Sequence, residues 1–193
     1  MKKLLSALAI TAAALLLGAG SFALAIAYPR AGAMAGSGPW QTDLTVGSAQ
    51  TGPYMRARIA IMGLFALRKT EAVYYIARAD SAGDPLDANY DYRIEGRDVP
   101  ARWWSITALG WDFHLIPNEA GLYSFNWANV KRKPDGSYVI RLSPHKKEGN
   151  WLPAGAPDGG SIALTLRLYR PEPAVLEKPG SVDLPRIIRE GRP

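Results

Sequence analysis

Behind Met1-Lys2-Lys3 the chain runs from Leu4 to Tyr28 without a charged residue. A run of that length needs an apolar solvent or an export machine. A membrane-spanning helix takes about 20 apolar residues at ~1.5 Å each. A secretory signal takes a basic start, an apolar core and a small-x-small cleavage site. Both patterns fit. Leu4 to Leu17 suits a signal core, with Ala23-Leu24-Ala25 and Ala25-Ile26-Ala27 as cleavage sites, whereas Phe22, Leu24 and Ile26 extend the apolar run beyond what a signal needs. Residues 1–28 are therefore expected to be a transmembrane anchor or a signal peptide. Lys2 and Lys3 stay cytoplasmic by the positive-inside rule. The expected protein is single-pass in the inner membrane with its domain in the periplasm or, if cleaved, is secreted to the periplasm.

The pattern then changes twice. Residues 29–51 are rich in Gly, Ala and Ser and read as a flexible stalk, with Trp40 free to dock on the domain or sit at the membrane interface. Pro53 suits a first helical position. Met55, Ile59 and Met62, widened by Leu64, Phe65 and Leu67, follow a helical period, which predicts a helix over Pro53 to Lys69. From Ala72 the runs are short and rich in β-formers: Ala72 to Ala77, Tyr90 to Glu95, Trp103 to Leu109, Tyr123 to Val130, Tyr138 to Ser143 and Ile162 to Tyr169. Gly, Pro and Asp turns divide them. The expected class is mainly β with one N-terminal helix (α+β), an antiparallel β-sandwich or jelly-roll-like domain over residues 52–193. The Pro-interrupted tail from Leu176 is expected to cross the domain surface as an extended segment.

Charge narrows the partners. The chain has 23 Lys+Arg and 17 Asp+Glu; without Lys2 and Lys3 the exported part keeps 21 basic residues and a net charge of only +4. The basic residues are scattered apart from Lys131-Arg132-Lys133 and Lys146-Lys147, so the dense basic face of a nucleic-acid binder is missing. The chain has no cysteine, which excludes a thiol nucleophile, a Cys-based metal site and a lipoprotein acyl anchor.

Six short motifs occur in order: Gly83-Asp84-Pro85-Leu86-Asp87 followed by Tyr92; Pro100-Ala101-Arg102-Trp103-Trp104-Ser105-Ile106-Thr107; Tyr123-Ser124; Asp135-Gly136-Ser137; Asn150-Trp151-Leu152-Pro153; and Leu164-Thr165-Leu166-Arg167-Leu168-Tyr169. In this succession, over about Gly63 to Arg189, the chain resembles the bacterial domain of unknown function 1214 family. The resemblance implies a β-sandwich or jelly-roll-like domain and supplies no catalytic residues. It departs from the family at Ala88, where Gly is expected, at Ala108-Leu109-Gly110, where a Tyr is expected, and at Leu122, where an Arg is expected. Larger relatives also carry a preceding partner domain, with no counterpart expected here.

Strand alternation supplies the site candidates. Trp103, Ser105 and Thr107 share one face of their strand. Leu164, Leu166 and Leu168 face the core, which turns Thr165, Arg167 and Tyr169 the other way. If the two strands are neighbours, Ser105, Thr107, Arg167 and Tyr169 share a polar surface that, with Trp103, is a candidate ligand-binding face. Arg offers a planar donor fork for carboxylate or phosphate, and Trp and Tyr offer flat faces for sugar rings. The bland alternative is ordinary cross-strand pairing. Trp151 is either a half-buried anchor or an aromatic pocket wall. Asp80, Asp84, Asp87 and Asp91 crowd into a turn region; Asp84 and Asp87 are candidates for an acid/base pair or a cation turn, though the spacing is not an EF-hand. Ser105, His114 and Asp112 make a triad only on paper, because no G-x-S-x-G elbow occurs, and His145 stands alone. No metal site and no cofactor are expected. The reading is an uncharacterised membrane-tethered envelope protein, held by residues 4–28, whose domain binds a glycan, lipid or protein and not nucleic acid. The alternative is a hydrolase of envelope carbohydrate or ester.

Overall fold

In the computed structural model, which describes residues 2–27, 34–61, 65–155 and 160–192, the middles of the two longest strands, 104–109 and 162–166, are buried on both faces. The elements in chain order are α1 (Lys2–Ala27), β1 (Ala35–Ser37), β2 (Trp40–Thr42), α2 (Pro53–Ile61), β3 (Ala72–Ala77), β4 (Asp91–Gly96), β5 (Ala101–Gly110), β6 (Ser124–Asn126), β7 (Tyr138–Ser143), β8 (Asn150–Pro153), β9 (Ile162–Pro171), α3 (Pro173–Glu177) and β10 (Arg186–Gly191). They make a six-stranded antiparallel sheet in the order β1-β2-β3-β9-β5-β6 and a four-stranded sheet in the order β10-β4-β7-β8, in which β7 and β8 run parallel. The fold is mainly β with a helical N-terminus, as the turn-divided β-formers predict.

One hydrophobic core joins the sheets. The first contributes Val73, Tyr75 and Ala77, Trp104, Ile106 and Ala108, and Leu164, Leu166 and Leu168; the second contributes Tyr92, Ile94, Tyr138, Ile140, Leu142, Leu152 and Ile187. Trp104 and Tyr138 stack across the interior with centroids 4.9 Å apart. Trp104 Nε1 donates to Asp98 Oδ1 at 3.0 Å, and Arg132 holds that same oxygen at 2.7 Å, so the indole's one polar atom is satisfied at the core's edge.

α1 is 26 residues long, exposed along its length apart from a contact of Phe22 with Tyr54, and apolar and long enough to cross a membrane or to act as a signal. The candidate cleavage motifs, residues 23–27, fall in the last turns of α1, and residues 28–33, which include the start of the expected stalk, lie outside the described residues.

Four expectations need correction. The composition of 29–51 predicts a stalk, yet β1 and β2 extend the six-stranded sheet, with Trp40 paired to Ala77 and fully buried. Its Nε1 donates to Pro185 O at 2.7 Å. Burying one indole with its N–H satisfied outweighs the poor strand propensity around it. The helix predicted to Lys69 ends at Ile61, with Met62 and Leu64 outside the described residues. Residues 65–68 are not helical, because the chain there crosses β3: Tyr74 Oη donates to Phe65 O at 3.2 Å and receives Leu67 N at 3.4 Å. Gly47, at φ 78°, makes room for the Leu67 carbonyl, which a Cβ at that position would strike. The strand predicted to Val130 stops at Asn126, because Asn126 Oδ1 accepts from Ala128 N and Asn129 N and bends the chain into an Asx turn. The tail is not a surface tether: β10 pairs with β4, Ile187 is fully buried and Tyr75 Oη donates to Pro179 O at 2.9 Å.

Burial has a titration consequence. It pushes the Tyr75 phenol up to about 12 and Tyr138, whose hydroxyl is buried with no hydrogen-bond partner among the described residues, higher still. An unfolded tyrosine loses its proton near ~10. The folded state therefore holds protons that the unfolded state releases, and stability is full below ~10 and falls as pH rises above it. Absorbance titration of the folded chain should leave these two phenols protonated at pH 11, and unfolding should become easier between ~10 and 12. Complete phenolate formation at pH 11 with the fold intact would contradict this burial.

Candidate functional site

The register of β5 against β9 brings the predicted face together. Trp103 lies opposite Tyr169, Ser105 opposite Arg167, and Thr107 opposite Thr165. On the far side of β9, β3 places Tyr74 opposite Arg167 and Ile76 opposite Thr165. Beyond β5, β6 sets Asn126 beside Ser105 and Ser124 beside Thr107. Since Leu164, Leu166 and Leu168 fill the core side of β9, all of these side chains lie on the other side of the six-stranded sheet, where Trp103, Arg167 and Tyr169 are partly exposed and Ser105, Thr107 and Thr165 are buried.

Trp103 and Tyr169 meet edge to face with centroids 5.2 Å apart, both half-buried. Arg167 Nη1 donates to Thr107 Oγ1 at 2.7 Å, which fixes the guanidinium over the middle of the face. No acidic partner of Arg167 occurs among the described residues, so its other donors remain available. Thr165 Oγ1 is buried and has no hydrogen-bond partner among the described residues. A buried polar atom of this kind is uncommon and marks either a cost or a ligand contact. Burial raises the Tyr74 phenol's affinity for its proton; the Leu67 N–H opposes that, Tyr169 adds to it and Arg167 opposes it. The face therefore combines an aromatic wall, a fixed cation and an unpaired hydroxyl within three residue rows.

Trp151 does not join it. β8 pairs Trp151 with Arg141, on the outward side of the four-stranded sheet, and its Nε1 donates to Ser143 O at 3.0 Å. That is the anchor arrangement, on the opposite side of the sandwich from Arg167. Next to it lies a shallow groove of about 320 Å³ lined by Arg93, Lys131, Lys133, Arg141 and Glu148. Arg93 pairs with Glu95 at 3.0 Å and with Glu190 at 3.6 Å, and Arg141 pairs with Glu190 at 3.4 Å, so much of its charge is already matched.

The aspartates serve turns and ion pairs. Asp80 Oδ1 accepts from Ala82 N and Asp84 N. Asp87 Oδ1 accepts from Asn89 N and Nδ2, and Asp91 pairs with Lys147 at 2.6 Å. Asp84 is well exposed and 4.0 Å from Arg189. Among the described residues no three His, Asp or Glu side chains gather as a metal site. His114 pairs with Asp112 at 3.1 Å in the open, at the Gly110 end of β5. Ser105 is five residues back along the same strand, about 17 Å away at ~3.3 Å per residue, so the paper triad does not assemble. His145 is exposed in the loop after β7.

Sequence reasoning identified Trp103, Ser105, Thr107, Arg167 and Tyr169 but passed over Tyr74 and the unpaired hydroxyl of Thr165. The signal for Tyr74 was the alternation in Ala72-Val73-Tyr74-Tyr75, which turns one tyrosine in and one out.

A family model described as "Protein of unknown function (DUF1214)" matches residues 71–173. Among solved structures, the chain is similar to the VPA0106 protein from Vibrio parahaemolyticus, at 25% identity and a TM-score of 0.57 over 72% of this chain and 36% of that one. A second likeness, to an uncharacterized protein from Burkholderia cenocepacia, is at 18% identity and a TM-score of 0.43 over 90% of this chain and 40% of that one. The chain thus spans well under half the length of either structure. No curated protein matches it.

Proposed function

The chain belongs to the DUF1214 family, whose function is unknown, and from its own geometry we propose that it is a membrane-tethered envelope module whose β-sandwich binds an acidic glycan in the periplasm. The observation that carries this is the β5–β9 register, which lines up Trp103 with Tyr169, Ser105 with Arg167 and Thr107 with Thr165 on one side of the sheet, with Trp103, Arg167 and Tyr169 partly exposed. Aromatic rings give a sugar a broad, rigid, amphipathic contact. A guanidinium with free donors suits a carboxylate on that sugar. The exposed apolar α1 supports the tether and, with Lys2 and Lys3 held on the cytoplasmic side, supports a periplasmic domain. Binding is favoured over hydrolysis because Asp84 and Asp87, the acid/base candidates, belong to a turn rather than to this face.

The test is the thermal stability of the full chain in detergent against a panel of neutral and uronic-acid-bearing oligosaccharides. A ligand that binds only the folded state raises the apparent melting temperature by mass action. The expected result is stabilisation by the acidic members, lost in Arg167→Ala and in Trp103→Ala. Turnover of a glycan that is abolished by Asp84→Asn or Asp87→Asn would instead establish the hydrolase.

A further inference from the structure

The segment after α1 carries large apolar side chains that the domain does not cover. Tyr54 is 52% exposed, Ile61 68% and Phe65 84%. Tyr54 and Ile61 are seven residues apart on α2 and so share one helical face, and no residue of α2 is fully buried. Apolar groups left bare in a cluster mark a surface that meets something apolar.

Their position relative to α1 indicates what. The rings of Phe22 and Tyr54 are 5.9 Å apart. Phe22 is twenty residues beyond Lys2, so it stands about 30 Å further along the helix, the thickness of a bilayer's hydrocarbon core. With Lys2 at one boundary, Phe22 and therefore Tyr54 stand at the other. That is the depth at which tyrosine is enriched. The exposed Arg68 and Lys69 follow Phe65 and supply positive charge at the level of lipid phosphates.

We infer that Tyr54, Ile61 and Phe65 seat this part of the domain in the outer interfacial layer of the bilayer that α1 crosses. The occupant of the exposed face is the lipid surface itself, and the sandwich is laid against the membrane instead of standing off it. This rests on the reading of α1 as an uncleaved anchor.

The absence of cysteine from the chain makes the test clean, because each introduced thiol is unique. Ile61→Cys and Phe65→Cys, both at exposed positions, are labelled with an environment-sensitive fluorophore in the full chain, reconstituted into phosphatidylcholine–phosphatidylglycerol vesicles. Leu15→Cys reports the middle of α1, and Ala120→Cys, in an exposed loop, reports water. The expected result is blue-shifted emission at 61 and 65, quenched by spin labels at the headgroup end of the lipid, with deep quenching at 15 and none at 120. Labels at 61 and 65 that match the one at 120, with 15 still deep, overturn the inference and leave the anchor standing. A mature chain that lacks residue 15 by mass overturns the anchor, and this inference with it.

Discussion

Trp104→Ala should destabilise the protein by about 3–5 kcal/mol, the range for removing a large aromatic from a core. Most domains have only ~5–15 kcal/mol to lose. Trp104 is fully buried, stacks on Tyr138 at 4.9 Å and closes the core under the Asp98–Arg132 pair. Its loss opens a cavity between the sheets that neither can collapse into without moving β5 or β7, each held by its own ladder. Trp104→Phe keeps most of the packing and gives up the bond to Asp98, so it should cost less. Trp127→Ala, 48% exposed, should change stability by under ~1 kcal/mol. Denaturant unfolding in detergent measures all three. A Trp104→Ala protein within ~1 kcal/mol of the parent would mean that the two sheets do not share this core.

The second large effect is expected at Asn150. Its side chain works as a clamp: Oδ1 accepts Lys131 N at 2.8 Å, while Nδ2 donates to Lys131 O and to Val139 O, both at 2.9 Å. The residue is nearly buried. In Asn150→Asp the bond from Lys131 N can persist, but the two donated bonds become a carboxylate oxygen facing two carbonyls in a buried site. The cost at neutral pH should be on the order of 3 kcal/mol or more. The sign of its pH dependence follows. Burial and the facing carbonyls hold the new carboxyl above its unfolded value of ~3.9, so the folded state binds the proton more tightly. Stability should therefore rise as pH falls through the raised value and level off below ~3.9. Asn150→Leu, which leaves Lys131 N unpaired as well as the two carbonyls but adds no charge, should lose stability with no such recovery. Equal losses for the two variants at every pH would show that the clamp does not act through those carbonyls.

The long elements were legible because their alternation is strict. Leu164, Leu166 and Leu168 against Thr165, Arg167 and Tyr169 define the two sides of β9 without reference to anything else. Tyr138 to Ser143 is predicted to the residue. The proposed face follows from parity, because β5 and β9 are neighbours. The short edge strands were not legible. β1 and β2 are three residues each in a Gly/Ala/Ser background, and they form because Trp40 finds a buried site and an acceptor at Pro185, a contact across 145 positions of chain. β8 carries loop signals, and its parallel pairing with β7 is a tertiary decision. That pairing also explains why Trp151 is separated from Arg167: alternation gives a residue's side of its own strand and says nothing of which sheet the strand joins. The Trp104–Asp98–Arg132 cluster joins three stretches of chain in the same way and left no local pattern.

The most direct test of the proposed glycan-binding face is a calorimetric titration of the full chain in detergent with a uronic-acid oligosaccharide, repeated on Arg167→Ala and on Trp151→Phe. A charge-assisted hydrogen bond contributes ~1.5–3 kcal/mol, which is roughly tenfold or more in affinity. The account predicts saturable binding by the parent, at least that loss in Arg167→Ala with the fold retained, and unchanged affinity in Trp151→Phe on the opposite sheet. Binding that survives Arg167→Ala and falls in Trp151→Phe would move the site to the four-stranded sheet and contradict it.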